Sequence, residues 1–303
     1  MEFLRDYISI ARPNHWFKNV FAFPGYICAI FLSGGVEGLN ITGLILSVTG
    51  LSLAASANYV INEWLDARFD AHHPIKKNRP SVRGKVKKFI ILLEYGILSF
   101  SGLFLGYLES SLVLFSIFLL LFSGIVYNVK PFRLKDVAFV DVLVESINNP
   151  IRFLVGWFVV AKFFPPVSIL LSFWMAGAFL MSIKRYAELR CIGDKRIAQR
   201  YRESFRYYTV ENLLLSALFY AMNFAFFLGI FLIKHRIEFL LSFPFFSALF
   251  CWYLFVGMKE NSPAQRPEAL YREKNLFLFV VALFLLVWVL LRVDIPLLRF
   301  FLG

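Results

Sequence analysis

The chain has 303 residues, 59% of them hydrophobic and only 17% charged, with 37 Phe, whereas a soluble domain is roughly 45–50% apolar and about 25% charged. The excess excludes an ordinary water-facing fold and points to helices that are apolar all round and lie in lipid. The net charge of +12 then reads as an orientation signal rather than a nucleic-acid footprint, so no nucleic acid is expected as a partner. Cys28, Cys191 and Cys251 lack CxxC spacing and support neither a disulfide framework nor a thiolate metal site.

In chain order, Glu2, Arg5, Asp6 and Arg12 precede the first apolar run and no small-residue cleavage site follows it, so the start is not read as a cleavable signal. A span needs about 20 mostly apolar residues. About nine are predicted, at 17–35, 41–61, 89–108, 111–129, 137–161, 166–183, 210–233, 237–257 and 275–291. The fold class expected is therefore an all-α, multi-pass membrane protein, with 1–303 as a single domain. With the N-terminus inside, the segments 1–18, 62–88, 130–136, 184–206 and 259–274 hold 26 of the 32 Lys and Arg. Five fall outside (Lys162, Lys234, Arg236, Arg292, Arg299) and Arg152 lies within a span. That asymmetry places the N-terminus in the cytoplasm, and an odd number of spans places the C-terminus outside.

Polar residues concentrate at the cytoplasmic ends. Asn58, Asn62, Asp66 and Asp70 are four apart and share one slowly drifting helix face. Two carboxylates and two amides are hard oxygen ligands suited to Mg²⁺, which takes few carboxylates and completes its shell with water and substrate phosphates. A plain solvated helix end is the alternative, but carboxylates at a helix C-terminus oppose its dipole and need a cation. Directly after them comes His72-His73-Pro74-Ile75-Lys76-Lys77-Asn78-Arg79-Pro80. A basic loop can be only a topology determinant; here Lys76 and Arg79 read as the other half of a diphosphate clamp.

Tyr127 lies near the end of the fourth span and Lys135 within the next inside segment, and they are placed with a cavity wall and a phosphate contact respectively. Asp141, Glu145, Asn148, Asn149 and Arg152 form a polar stripe running from the cytoplasmic end toward the bilayer interior. Ionisable groups at such depth face a cavity or one another: either they line the polar end of a cavity, or Glu145 and Arg152 are a structural pair. Lys184-Arg185-Tyr186-Ala187-Glu188 closes the sixth span, where cations are also expected from the helix dipole alone. Before the first span, Arg12-Pro13-Asn14-His15-Trp16-Phe17-Lys18-Asn19 carries the Trp and Lys of an interfacial anchor, and Lys18 also has the reach to meet a phosphate.

Together these segments resemble the UbiA superfamily of intramembrane prenyltransferases, over nearly the whole chain. The family hallmark after helix two is Asn-Asp-x-x-Asp-x-x-x-Asp; this chain reads Asn62-Glu63-x-x-Asp66-x-x-x-Asp70, with Glu63 where Asp is usual. The resemblance implies that Asn62, Asp66 and Asp70 are catalytic and bind Mg²⁺ with a donor diphosphate. Members that prenylate aromatic rings carry Asp-x-x-x-Asp after helix six, where this chain has Lys184-Arg185-Tyr186-Ala187-Glu188. That departure, with Arg12-Pro13-x-x-Trp16-x-Lys18-Asn19 and His73-Pro74-x-Lys76, looks more like the branch that makes decaprenylphosphoryl phosphoribose. The resemblance then implies phosphoribosyl transfer from a small diphosphate donor to a polyprenyl phosphate in the bilayer, a bacterial inner or plasma membrane. Lys18, Asn58, Lys76, Arg79, Lys135, Lys184 and Arg185 would meet phosphates, and Tyr127, Asp141, Glu145, Asn149, Arg152, Tyr186 and Glu188 would line the cavity. Aromatic prenyl transfer, a transporter and a catalytically idle lipid-binding homologue are the rival readings.

Overall fold

A computed structural model describes residues 2–33, 39–260, 262–265, 270, 273–290 and 292–299. Positions 34–35 of the first expected span, 291 of the last, and 261, 266–269 and 271–272 of the last inside segment lie outside the described residues, as does the side chain of Arg299. The described residues contain helices and no strand: α1 (Glu2–Ala11), α2 (Ala22–Leu32), α3 (Ile41–Asp70), α4 (Lys88–Glu109), α5 (Ser111–Asn128), α6 (Val140–Ser146), α7 (Asn148–Phe158), α8 (Val167–Ile192), α9 (Lys195–Tyr201), α10 (Val210–His235), α11 (Phe243–Met258), α12 (Lys274–Leu290) and α13 (Pro296–Arg299). The chain forms two compact units, 1–165 with 192–208, and 166–191 with 209–303.

Among the described residues, six helices are long and apolar enough to cross a membrane: 41–70, 88–109, 111–128, 167–192, 210–235 and 237–258. Their surfaces carry large apolar side chains outward, such as Phe89, Phe100 and Phe219, as helices solvated by lipid require. The apolar stretch at 274–290 is helical but shorter. Two expected spans take another form. Over 17–35, a 3-10 turn (Pro13–Phe21) leads into the eleven-residue α2. The expected continuous helix at 137–161 breaks between α6 and α7. Pro150 is the reason: it has no N–H to return to Ser146, four residues back. Local side chains bond the carbonyls around this turn, with Ser146 Oγ donating to Leu143 O at 2.9 Å and Asn148 Nδ2 to Glu145 O at 3.0 Å.

In the first unit, α3 is the central element, packed by α1, α4, α5 and α7. Small residues let backbones approach, the usual membrane solution. A Cβ on Gly50 or on Gly102 would each run into the other's carbonyl where α3 crosses α4, and one on Gly156 would strike the Ala22 backbone where α7 crosses α2. Tyr7 and Ile10 of α1 pack with Val60 and Ile91. Segment 192–208, after α8, belongs to this unit and brings Tyr201 and Arg202 with it. In the second unit, Phe250 of α11 packs against Phe179 of α8 and stacks on Phe224 of α10 at 4.5 and 4.4 Å between ring centroids. Ser216 donates to Ser182 at 3.2 Å.

Candidate active site

The last two turns of α3 present Asp66 and Asp70 to one cleft, shared with Arg133, Lys135, Tyr201 and Arg202. The enclosed space is about 20 Å³, little more than room for one water, because cationic side chains fill it. Arg133 Nη2 reaches Asp66 at 3.0 Å and Lys135 Nζ bonds the same carboxylate oxygen. Arg79 Nη1 pairs with Asp70 at 2.5 Å. The carboxylates set against the helix dipole are thus neutralised by basic loops, as that dipole demands.

The supports are side-chain amides and backbone geometry. Asn128, at the end of α5, accepts from Asn62 Nδ2 at 2.5 Å and from Lys135 Nζ at 2.8 Å. Its backbone carbonyl accepts from Arg133 Nη1 at 3.1 Å. Arg133 has φ +38°, outside the range a side-chain-bearing residue usually adopts. Arg12, at φ +50°, likewise turns its guanidinium to a motif carboxylate, Glu63, at 2.6 Å. Both left-handed arginines therefore reach carboxylates of the Asn62–Asp70 motif, and such backbone strain concentrates at functional sites. Burial pulls the Lys135 ammonium down from 10.5 to about 8, while Asp66 works to keep it charged.

A second tier stands behind the cleft. Arg202 Nη1 lies 3.3 Å from Tyr127 Oη and 3.4 Å from Asp141 Oδ2. Tyr127 donates to Glu145 at 2.7 Å. Asp141 is fully buried and accepts from Tyr208 at 2.5 Å and Ser204 at 3.4 Å, fastening segment 192–208 to α6. On the other flank Lys76 Nζ bonds Tyr201 Oη, whose ring also packs against His73 at 4.7 Å.

The structure therefore brings Asp66, Asp70 and Lys135 to one cleft. Asn62 joins through Asn128, Arg79 through Asp70, Lys76 through Tyr201, and Tyr127, Glu145 and Asp141 through the Arg202 tier. Asn58 is placed elsewhere: it donates to Leu120 O at 2.8 Å, over the space left by Gly124, and ties α3 to α5. Lys18, Asn149 and Arg152 belong to another cluster, around Tyr59 and Asn19. Lys184, Arg185, Tyr186 and Glu188 lie on α8 in the second unit, where Arg185 pairs with Glu188 at 2.9 Å, both buried. Sequence reasoning missed Arg133, Asn128, Tyr201 and Arg202 as site residues. Arg133 sat in view two residues before Lys135; Arg202 looked like one more topology charge.

Among the described residues no group of three or more His, Cys, Asp or Glu side chains is placed to hold a metal. Two carboxylates with one amide nearby nevertheless fit Mg²⁺, which needs only one or two carboxylates when substrate phosphates complete its shell.

The UbiA prenyltransferase family model matches residues 21–281. The decaprenyl-phosphate phosphoribosyltransferase of Mycobacterium tuberculosis is 32% identical over 216 residues, 68% of this chain and 67% of that one. The enzyme of the same name from Mycolicibacterium smegmatis is 26% identical over 208 residues, 68% of this chain and 63% of its own length. This chain thus spans about two thirds of these relatives. A UbiA homolog from Archaeoglobus fulgidus, solved with GPP and Mg²⁺, superposes with a TM-score of 0.71 at 17% identity, over 93% of this chain and 99% of that one, a likeness of fold. With an all-helical fold, six membrane-length helices and a family match over most of its length, the chain belongs to the UbiA prenyltransferase family as a multi-pass membrane transferase.

Proposed function

We propose that the protein transfers a phosphoribosyl group from phosphoribosyl diphosphate to a polyprenyl phosphate, with Mg²⁺ held by Asp66, Asp70 and Asn62. The observation that carries the reading is the pair of carboxylates on successive turns of α3 facing one cleft with Arg133, Lys135 and Arg202. Two acids among three cations suit a metal-bound diphosphate better than a neutral ligand. Relatives named for the phosphoribosyl reaction support this choice of donor, and so does the Lys184–Glu188 segment, which lacks the second acidic pair of aromatic prenyltransferases.

The leaving group sets the chemistry. The bond from ribose C1 to the diphosphate oxygen breaks, C1 becomes cation-like, and a lipid phosphate oxygen attacks it. Bound Mg²⁺ would supply charge neutralisation at the departing diphosphate. Arg133 and Lys135 would follow that charge as it develops, leaving Asp66 for the phosphate oxygens. Lys76, Arg79 and Arg202 would hold the remaining oxygens and set the orientation. No strong base is needed, because the acceptor oxygen is already anionic. The reading extends to one membrane domain over 1–303 with nine crossings, an inside N-terminus and the cleft at the cytoplasmic face; the distribution of Lys and Arg supports that orientation.

The test is a donor competition in purified, Mg²⁺-supplied protein. Labelled phosphoribosyl diphosphate with polyprenyl phosphate should yield labelled lipid. A prenylated phenol formed from polyprenyl diphosphate would overturn the donor while keeping the family. Asp66→Asn and Asp70→Asn should each abolish turnover in protein that remains folded in detergent, and near-normal rates in either would remove the metal assignment.

A further inference from the structure

The 3-10 segment Pro13–Phe21 runs antiparallel along α3 on a stripe next to the Asn62–Asp66–Asp70 face. Asn19 Nδ2 donates to Ser52 at 2.8 Å, Trp16 Nε1 to Ser56 at 2.9 Å, and Arg12 to Glu63 at 2.6 Å. A 3-10 helix turns every three residues, so Arg12, His15 and Lys18 lie along one edge, and that edge meets Tyr59. The His15 ring packs edge-on to Tyr59 at 5.1 Å, and Lys18 Nζ sits 5.7 Å from the ring centre, bonded at 3.3 Å to His15 Nδ1.

Arg152 enters this cluster from α7. It is only 7% exposed, and its Nε and Nη1 donate to two amide oxygens, Asn19 Oδ1 and Asn149 Oδ1, both at 3.1 Å. Tyr59 and Glu145 are both near enough to act on its charge. A buried guanidinium whose direct hydrogen-bond partners are neutral amides is costly even with a carboxylate in the neighbourhood, and such residues mark ligand sites in membrane proteins. Glu145 also accepts from Tyr127 at 2.7 Å, so it links this cluster to the Arg202 tier.

We propose that Lys18 and Arg152, arranged around Tyr59 and steadied by His15 and Asn19, form a second anion site that takes a phosphate monoester. Tyr59 precedes Asp66 by seven residues, about 10 Å along a helix axis, so the site is separate from the diphosphate cleft yet within reach of it. The inference rests on the phosphoribosyl reading, in which two reactants carry a monoester: the headgroup of the polyprenyl phosphate, and the 5-phosphate of the donor sugar.

Binding without turnover tests it. Full-length protein in detergent with EDTA is titrated with labelled polyprenyl phosphate and, separately, with ribose 5-phosphate, in wild type, Lys18→Met and Arg152→Lys. At least about a tenfold loss of affinity for one monoester is expected in both variants. Arg152→Lys keeps the charge but loses the guanidinium fork that holds Asn19 and Asn149, and half-buried Lys18 serves as the variant least exposed to folding defects. Loss confined to the lipid assigns the acceptor headgroup, and loss confined to the sugar assigns the donor. Wild-type affinity for both monoesters in both variants, or no binding of either by wild type, overturns the site. Phosphoribosyl transfer by wild type with undiminished binding in the variants would sink the site and leave the reaction standing; Lys18-dependent lipid binding with no phosphoribosyl transfer would do the reverse.

Discussion

Glu63 and Asp66 are three residues apart on α3, yet they meet different cations. Glu63 is buried and takes Arg12 at 2.6 Å, with Arg79 Nε at 4.0 Å, while Asp66 faces the cleft with Arg133 and Lys135. The Glu that departs from the usual Asp of the motif thus acts in this structure by holding arginines, one of which also pairs with Asp70. Glu63→Gln leaves these guanidinium groups short of a buried counter-charge, and removing one partner of such a pair costs about 3–5 kcal/mol. A clearly lowered melting temperature is expected, together with a raised KM for the diphosphate donor as Arg79 loses its second anchor. An unchanged melting temperature and KM would assign no positioning role to Glu63. Arg202→Gln is expected to act on substrate and also to lower the melting temperature, since fully buried Asp141 keeps its bonds from Tyr208 and Ser204 but loses its guanidinium partner. Steady-state kinetics should show a several-fold increase in donor KM.

At the scale of elements, the site depends on how closely the helices approach. The α2–α7 crossing has Gly25 against the Phe153 backbone and Gly156 against Ala22, so an added Cβ meets backbone that cannot rotate away. Gly156→Ala is expected to cost about 1–3 kcal/mol by overpacking, seen as a lower melting temperature in detergent. Because Arg152 is one turn before Gly156 on the same helix, the Lys18–Arg152 cluster should be disturbed along with it. Around the break between α6 and α7, Glu145 accepts from Tyr127 and acts on the charge of Arg152, whose guanidinium donates to Asn19 and Asn149.

For the whole molecule, the proposed topology makes a direct prediction about accessibility. In a variant with Cys28, Cys191 and Cys251 replaced, a cysteine introduced at Lys77 should be shielded from an impermeant thiol reagent in intact cells. One at Lys162 should be labelled, and the reverse pattern would invert the orientation. The strong excess of Lys and Arg in the 62–88 and 184–206 segments is the physical ground for that expectation.

Local patterns were legible in the sequence because their causes are local. Runs of apolar residues placed every long helix, and four-residue spacing put Asp66 and Asp70 on one face of α3. Pro150 was visible too, but its effect depends on the carbonyl it leaves unmatched inside a helix that had been read as continuous. The cation partners were decided by tertiary structure. Arg133 reaches Asp66 across 67 positions through a left-handed backbone turn, and Arg202 arrives because Asp141 and Tyr208 fasten a returning segment to α6. A charge in a loop carries no sequence signal of which carboxylate it will meet, because that pairing is settled by helix packing and by the cost of leaving either charge buried alone.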